Sequence, residues 1–217
     1  FSLQAIKTFT TGDGGLLICS NKEFHKQAKL LRWFGIDRDR RNYKGKDFRL
    51  EHNVESWGYK FHMNDINATI GLHNFPHIDE LIAKQRANGQ YLTEKLQELK
   101  LAPNVKILSP FIADDTTYRS SYWLFTILLR KLTANRTKHD FVVFMKSRGV
   151  MVSQVHERND THDCFSKYVA SLPQLDELEK GLVCVPVGWW LTEDDLDKIV
   201  KGINDFICMP ATADINE

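Results

Sequence analysis

Three short stretches of the chain hold side chains whose types and spacing could do chemistry. The first is FSLQAIKTFTTGDGG, in which Lys7 follows Ser2 by five residues and precedes the turn Gly12-Asp13-Gly14-Gly15 by five. A lysine amine attacks a carbonyl only as the neutral base, so it needs an apolar or cationic setting. Ala5, Ile6 and Phe9 supply apolar neighbours. The Ser2 hydroxyl and the backbone N–H groups of Thr10-Thr11-Gly12 could take up a phosphate. Alone, the spacing fits equally a lysine in a loop ahead of a strand.

The second stretch is WGYKFHMND, residues 57–65. Lys60 and His62 lie two apart, so in extended backbone their side chains share a side. Together they could form an anion site at the start of the following helix, whose N-terminus also favours negative charge. The third is His156-Glu157-Arg158-Asn159-Asp160, with His162, Asp163 and Cys164 behind it. His156 could orient a carboxylate or a sugar hydroxyl, and Arg158 could pair with an anion. A polar surface loop is the competing reading. Zinc is not favoured, because no compact pair of ligand spacings occurs and structural zinc seldom rests on one cysteine.

A lysine that takes an aldehyde, beside donors that take a phosphate, suits pyridoxal 5'-phosphate. Such residues work only if the surrounding elements hold them. Leu16-Leu17-Ile18-Cys19 reads as a buried strand, and Asn21 as the cap of a helix with Phe24, Ala28, Leu31 and Phe34 on one face, ended by Gly35. From Ile36 to Lys60 the pattern is irregular, charged and aromatic. Arg38, Arg40, Arg41 and Lys44 suit a solvated loop, but Tyr43, Phe48, Trp57 and Tyr59 argue against disorder. Asn64 or Asp65 caps a helix through Ile66, Ile70 and Leu72, in which Gly71 allows close packing. A longer helix after Pro76 carries Ile78, Leu81, Ile82, Tyr91, Leu92, Leu96 and Leu99, and Pro103 closes this part.

Beyond it the organisation changes. Tyr122–Leu129 reads as a strand buried on both faces, Thr137–Arg148 as an amphipathic helix, Val150–Val155 and Leu182–Val185 as strands, and Thr192–Phe206 as a helix with a capping box. The reading is therefore three parts: 1–75, the end of a larger domain; 76–101, a bridging helix; and 102–217, a small α+β domain.

Composition narrows the function classes. With 217 residues, of which 42% are hydrophobic, the chain can bury a core. Lys+Arg 29 against Asp+Glu 28 gives a net charge of +1, which offers no field for nucleic acid. No run approaches the roughly 18 apolar residues of a membrane span. Cys19, Cys164, Cys184 and Cys208 lack CxxC spacing and read as small hydrophobes of a reducing compartment, which implies the cytoplasm. The chain starts without methionine or a leader-like segment, inside a hydrophobic pattern, and is expected to be a fragment lacking its N-terminal part.

FSLQAIKTFTTGDGG resembles the Schiff-base lysine segment of the DegT/DnrJ/StrS family of nucleotide-sugar aminotransferases. GYKFHMNDINATIGL, SSYWLFTILL, VSQVHERNDTH and VCVPVGWWLTEDDLDKIV resemble later segments of that family in the same order, over essentially the whole chain. The resemblance implies the α/β fold-type I of pyridoxal-phosphate-dependent transferases (aspartate aminotransferase-like), as the C-terminal part of the large domain plus the small α+β domain. It implies a homodimer with shared active sites, glutamate as amino donor, and a keto-sugar of a nucleoside diphosphate as acceptor. Lys7 would carry the cofactor and shuttle its proton, Ser2 and Lys60 would hold its phosphate, and His62, His156 and Arg158 would meet substrate. Where this chain has Lys60 and His62 the family commonly has asparagine and arginine, which bears on the donor-binding role of His62. Related dehydratases carry histidine at the Lys7 position, so lysine favours transamination. The family's aspartate for the pyridine nitrogen lies upstream of the lysine, so a chain of this extent alone would be inactive. A catalytically empty sugar-binding or dimerisation module is the alternative.

Overall fold

In the computed structural model, helix α1 (Lys22–Leu31) starts at Asn21, which is extended and accepts the Phe24 N–H at 2.8 Å. It stops where Gly35, at φ +75°, returns its N–H to Leu30 O at 2.9 Å. Residues 1–40, 54–101, 104–108, 119–130, 132, 136–154 and 156–210 are described; Arg41, Tyr43, Lys44, Phe48, Pro103 and Val155 lie outside them. The chain divides into two units, Phe1–Ile78 and Asp79–Glu217.

In the first unit, α2 (Asp65–Asn74) is capped by Asn64 rather than Asp65, through Asn67 N–H to Asn64 Oδ1 at 2.9 Å. A single turn of 3-10 helix, Phe75–His77, leads out of it. Little of this unit is buried. Leu3, Thr11, Gly35 and Gly71 are covered, whereas Leu17 and Ile18 are 76% and 74% exposed. The expected buried strand Leu16–Cys19 does not form. A strand buried on both faces needs layers packed against both, and among the described residues the run is tied to the chain start alone, through the Ser2–Gly15 bridge and Leu16 N–H to Phe1 O at 2.8 Å. Phe24 and Leu31, the expected inner face of α1, are exposed too.

The second unit has a core of its own. Strands β1 (Val105–Ile107), β2 (Phe125–Leu129) and β3 (Leu182–Val185) form an antiparallel sheet in the order β1-β2-β3, with Ile127 opposite both Ile107 and Val183. On β2, Phe125, Ile127 and Leu129 are buried and the alternate residues half-buried, so only one of its faces is fully covered. Helices α4 (Lys138–Ser147) and α6 (Glu193–Cys208) bring Phe141, Phe144, Met145, Ile199, Ile203 and Phe206 into that core; α3 (Ile78–Glu98) adds Leu92 and Leu96. Both α4 and α6 open with a full capping box, Thr137 with Asp140 and Thr192 with Asp195. The bonds from those threonines, backbone first, hold both aspartates below the usual carboxylate range.

Val150–Gln154 is not a strand, although Val150 and Val152 are buried and Met151 and Ser153 exposed. It pairs at one place, where Ser153 and Cys184 exchange N–H to O bonds of 3.1 and 2.7 Å. Alternation reports which side chains are covered, and a single bridge achieves that without a ladder. Helix α5 (Pro173–Gly181), with proline in its first turn, runs directly into β3.

Two outcomes follow from this packing. Phe206 meets Phe141 and Phe144 edge-on at 5.1 and 5.4 Å. Phe206→Ala should therefore destabilise the second unit by about 3–5 kcal/mol, read from its urea transition; a loss under 1 kcal/mol would mean that the site collapses freely. Tyr91 of α3 donates to Asp197 Oδ1 at 2.6 Å. That bond first, then burial, pushes its pKa up to about 12. The folded value exceeds the unfolded one, so the contribution is whole below about pH 10 and fades as pH rises through about 12. Among the described tyrosines, Tyr91 and Tyr122, whose pKa burial also raises, should form tyrosinate late on alkaline titration, and Tyr91→Phe should remove one of these two late steps. If all tyrosines titrate together in the folded protein, the bond is not made in solution.

Candidate active site

Lys7 lies on a loop whose two ends are tied together. Leu3 N–H donates to Gly14 O at 2.9 Å, and Leu3 O accepts Thr11 N–H at 3.0 Å and the Thr10 hydroxyl at 3.0 Å. Lys7 N–H closes an inner turn on Gln4 O at 2.9 Å. The Thr10–Gly14 turn is self-bonded through Gly12 N–H to Thr10 Oγ1 (2.9 Å) and Gly14 N–H to Asp13 Oδ1 (2.9 Å), with Gly12 and Gly14 at φ +81° and +131°. Lys7 is half-buried and Ser2 exposed. Ser2 Oγ accepts Gln4 N–H at 3.4 Å, a long bond in which the hydroxyl is the acceptor.

The back of this turn rests on α2. Asn67 Nδ2 donates to Thr11 O (2.7 Å) and Asp13 O (3.1 Å), and Asn74 Nδ2 donates to Thr10 O (3.0 Å). Between them Gly71 faces Thr11, where any β-carbon would come within 2.7 Å of Thr11 Cγ2. The sequence pointed to the glycine; the two asparagines were missed. Their signal is the spacing Asn67, Gly71, Asn74, which is one face of a helix.

The segment entering α2 carries Lys60 and His62. It runs beside the end of α1, with a Trp33–Lys60 bridge, Phe34 N–H to Tyr59 O at 3.0 Å and Phe61 N–H to Arg32 O at 2.9 Å. Lys60 Nζ sits 4.4 Å from the centre of the Trp33 ring, a cation–π distance. His62 stands edge-on to the same ring at 4.1 Å. Burial, and then the charges of Lys60, Arg38 and Arg32, hold its pKa below the usual imidazole value. His62 is thus a neutral ring near physiological pH. His62 Nδ1 and Trp33 Nε1 are buried without a partner among the described residues. A cleft of about 400 Å³ opens here, lined among others by His25, Arg32, Trp33, Arg38 and His62.

In the second unit, His156 is exposed, and its ring lies 6.0 Å from that of Trp123. Trp123 follows Tyr122, a non-glycine residue at φ +50°, which is a strained backbone. That strain is held from α3, where Gln85 Nε2 donates to Tyr122 O, Arg86 Nε to Ser120 O, and Gly89 faces the Tyr122 ring. Arg158 was expected to meet an anion, and it meets three of its own chain. It grips Asp160 through Nε (2.9 Å) and Nη2 (2.5 Å), bonds Asp176, and reaches Glu179 at 3.5 Å. These carboxylates push the guanidinium pKa up and its bond holds Asp160 down. A substrate anion would have to displace them.

A profile of the DegT/DnrJ/EryC1/StrS aminotransferase family matches residues 1–204. The chain is 32% identical to the sugar aminotransferase CalS13 from Micromonospora echinospora and 34% identical to AtS13 from Actinomadura melliaura. Both have a TM-score of 0.79, over 94% of this chain and 50% of theirs. It is 24% identical to the spore coat polysaccharide biosynthesis protein SpsC from Bacillus subtilis, over 95% of this chain and 53% of that protein. The chain thus spans about half the length of the relatives it matches. Its fold is that of these structures, the α/β fold-type I of the aspartate aminotransferase kind.

Because Arg158 bridges the turn at Asn159–Thr161 to α5, Arg158→Met should raise amide hydrogen exchange over 158–161 and in the first turns of α5, leaving β1–β3 unchanged. Arg158→Lys should restore little, since an ammonium cannot span Asp160 and Asp176 with a fork. Unchanged exchange in Arg158→Met would make the cluster incidental.

Proposed function

The chain belongs to the DegT/DnrJ/EryC1/StrS aminotransferase family, and from that premise we propose that it forms part of a pyridoxal 5'-phosphate-dependent aminotransferase. The amino group passes from glutamate to a keto-sugar carried by a nucleoside diphosphate, in a cytoplasmic homodimer. The observation that carries this reading is the lysine loop: Lys7 on a backbone fixed at both ends, within the matched residues. The name of CalS13, a sugar aminotransferase 32% identical to this chain, supports the sugar acceptor.

The residues present fit the cofactor. A primary amine at Lys7 and a hydroxyl at Ser2 share one tied loop. When bound, the cofactor supplies an electron sink at its ring. The rest falls to the protein. Lys7 Nζ would be the covalent partner of the cofactor and the base that lifts a proton from one carbon and returns it to another. The Ser2 hydroxyl donates to the phosphate. Lys60, an exposed ammonium resting on Trp33, adds a point charge for phosphate. His62, held neutral, has one buried ring nitrogen left for a donor or acceptor of the substrate. His156 beside Trp123 orients a carboxylate or sugar hydroxyl. Arg158, proposed in the substrate region, acts by holding that loop.

The coverage of about half of each relative favours a second reading for this chain in isolation, a sugar-binding or dimerisation module without catalysis.

Lys7→Ala in the complete protein should abolish the visible band of lysine-bound cofactor. It should cut turnover by at least roughly a thousandfold, an order that acid–base transfer alone can supply. Wild-type turnover in Lys7→Ala would sink the assignment. Ping-pong kinetics with glutamate, and a sugar product carrying an amine by mass spectrometry, are expected; loss of water without glutamate consumption would mean a dehydratase instead.

A further inference from the structure

Asparagine is a poor residue for a helix interior because its amide competes for backbone bonds. Yet α2 holds Asn67 inside its ten residues and Asn74 at its end. Both amides cross to backbone carbonyls 54 to 64 residues earlier, those of Thr10, Thr11 and Asp13. Gly71, between them, removes the side chain that would keep the helix off Thr11, and Thr11 is only 2% exposed. Phe9 meets Phe75 edge-on at 6.0 Å just beyond. Three contacts on one helix face thus fix the turn that follows Lys7, while Leu3 fixes the chain before it.

We infer that Asn67 and Asn74 are positioning residues for Lys7: through the Thr10–Gly14 carbonyls they set the direction from which the lysine amine reaches its cofactor and substrate carbons. This rests on the reading of Lys7 given above. Lys60 and His62 lie on the segment that leads into α2, so the residues proposed to meet anions are close in sequence to the clamp on the lysine turn. A lysine that must take a proton from one carbon and deliver it to another tolerates little drift, since misplacement of about 1 Å can cost a hundredfold in rate.

The test uses Asn67→Ala and Asn74→Ala in the complete, cofactor-loaded protein, with Asn88→Ala as comparison. Alanine raises helix propensity, so losses trace to the missing bonds. Asn88 makes the same kind of bond, to Gly188 O at 2.9 Å, in the second unit. In the Asn67 and Asn74 variants the visible absorbance should persist, because the lysine remains. The visible circular dichroism per unit absorbance should fall, because the cofactor is no longer held at one angle. Turnover should drop by roughly ten- to a hundredfold with little change in KM. Without cofactor, amide exchange over residues 10–14 should rise. Asn88→Ala should shift thermal stability alone. If Asn67→Ala and Asn74→Ala behave like Asn88→Ala, the clamp is ordinary packing and the inference falls. If wild type shows no visible band, the reading of Lys7 itself fails and takes the inference with it.

Discussion

The first unit depends on one close approach, that of α2 to the turn at Thr11. A helix comes this near to a loop backbone only where it lacks a side chain, at Gly71, and only where something satisfies the carbonyls it covers. The carboxamide of Asn67 does so for two carbonyls at once, and Asn74 for a third. Remove either condition and the part-buried carbonyls of Thr10 and Thr11 lose a donor. The approach in turn decides where Lys7 stands, because Thr10 and Thr11 are bound to Leu3 on the other side. Helix, turn and lysine loop are therefore one mechanical piece, built from short polar contacts instead of an apolar core.

The second unit is built the other way. Its phenylalanines on β2, α4 and α6 pack with almost no exposure, and α4 and α6 each open with a capping box. The contrast explains why the units differ in how much apolar surface they leave open. In the first, Leu17, Ile18, Phe61, Ile66 and Leu72 all face outward.

Much of this was legible from residue types and much was not, for physical reasons. Helix starts were readable because capping is local: Asn21, Thr137 and Thr192 behave as their side chains require. So was Gly71, since a glycine inside an apolar-periodic helix asks for a close neighbour. The strands were less so. Leu16–Cys19 has the composition of a buried strand, but pairing depends on partners that composition does not supply. Asn67 and Asn74 were missed because their value lies in carbonyls more than fifty residues away. The same limit hid the fate of Arg158, whose partners Asp176 and Glu179 belong to a different helix.

These electrostatic details redistribute the proposed work of the site. An arginine saturated by three carboxylates is a fastener, and its fork is spent before any substrate arrives. A histidine whose pKa burial and three neighbouring cations lower is harder to charge than a free imidazole. In the proposed site Lys60 offers phosphate a charge, as an ammonium that rests on an aromatic ring and carries three donors. A point charge of that kind attracts an anion without dictating its angle. Orientation must then come from elsewhere, and the most rigid frame in the first unit is the turn that α2 holds behind Lys7. Loose recognition of the anion and strict placement of the amine are therefore complementary: the lysine can be exacting in direction because the group that steers the anion is not.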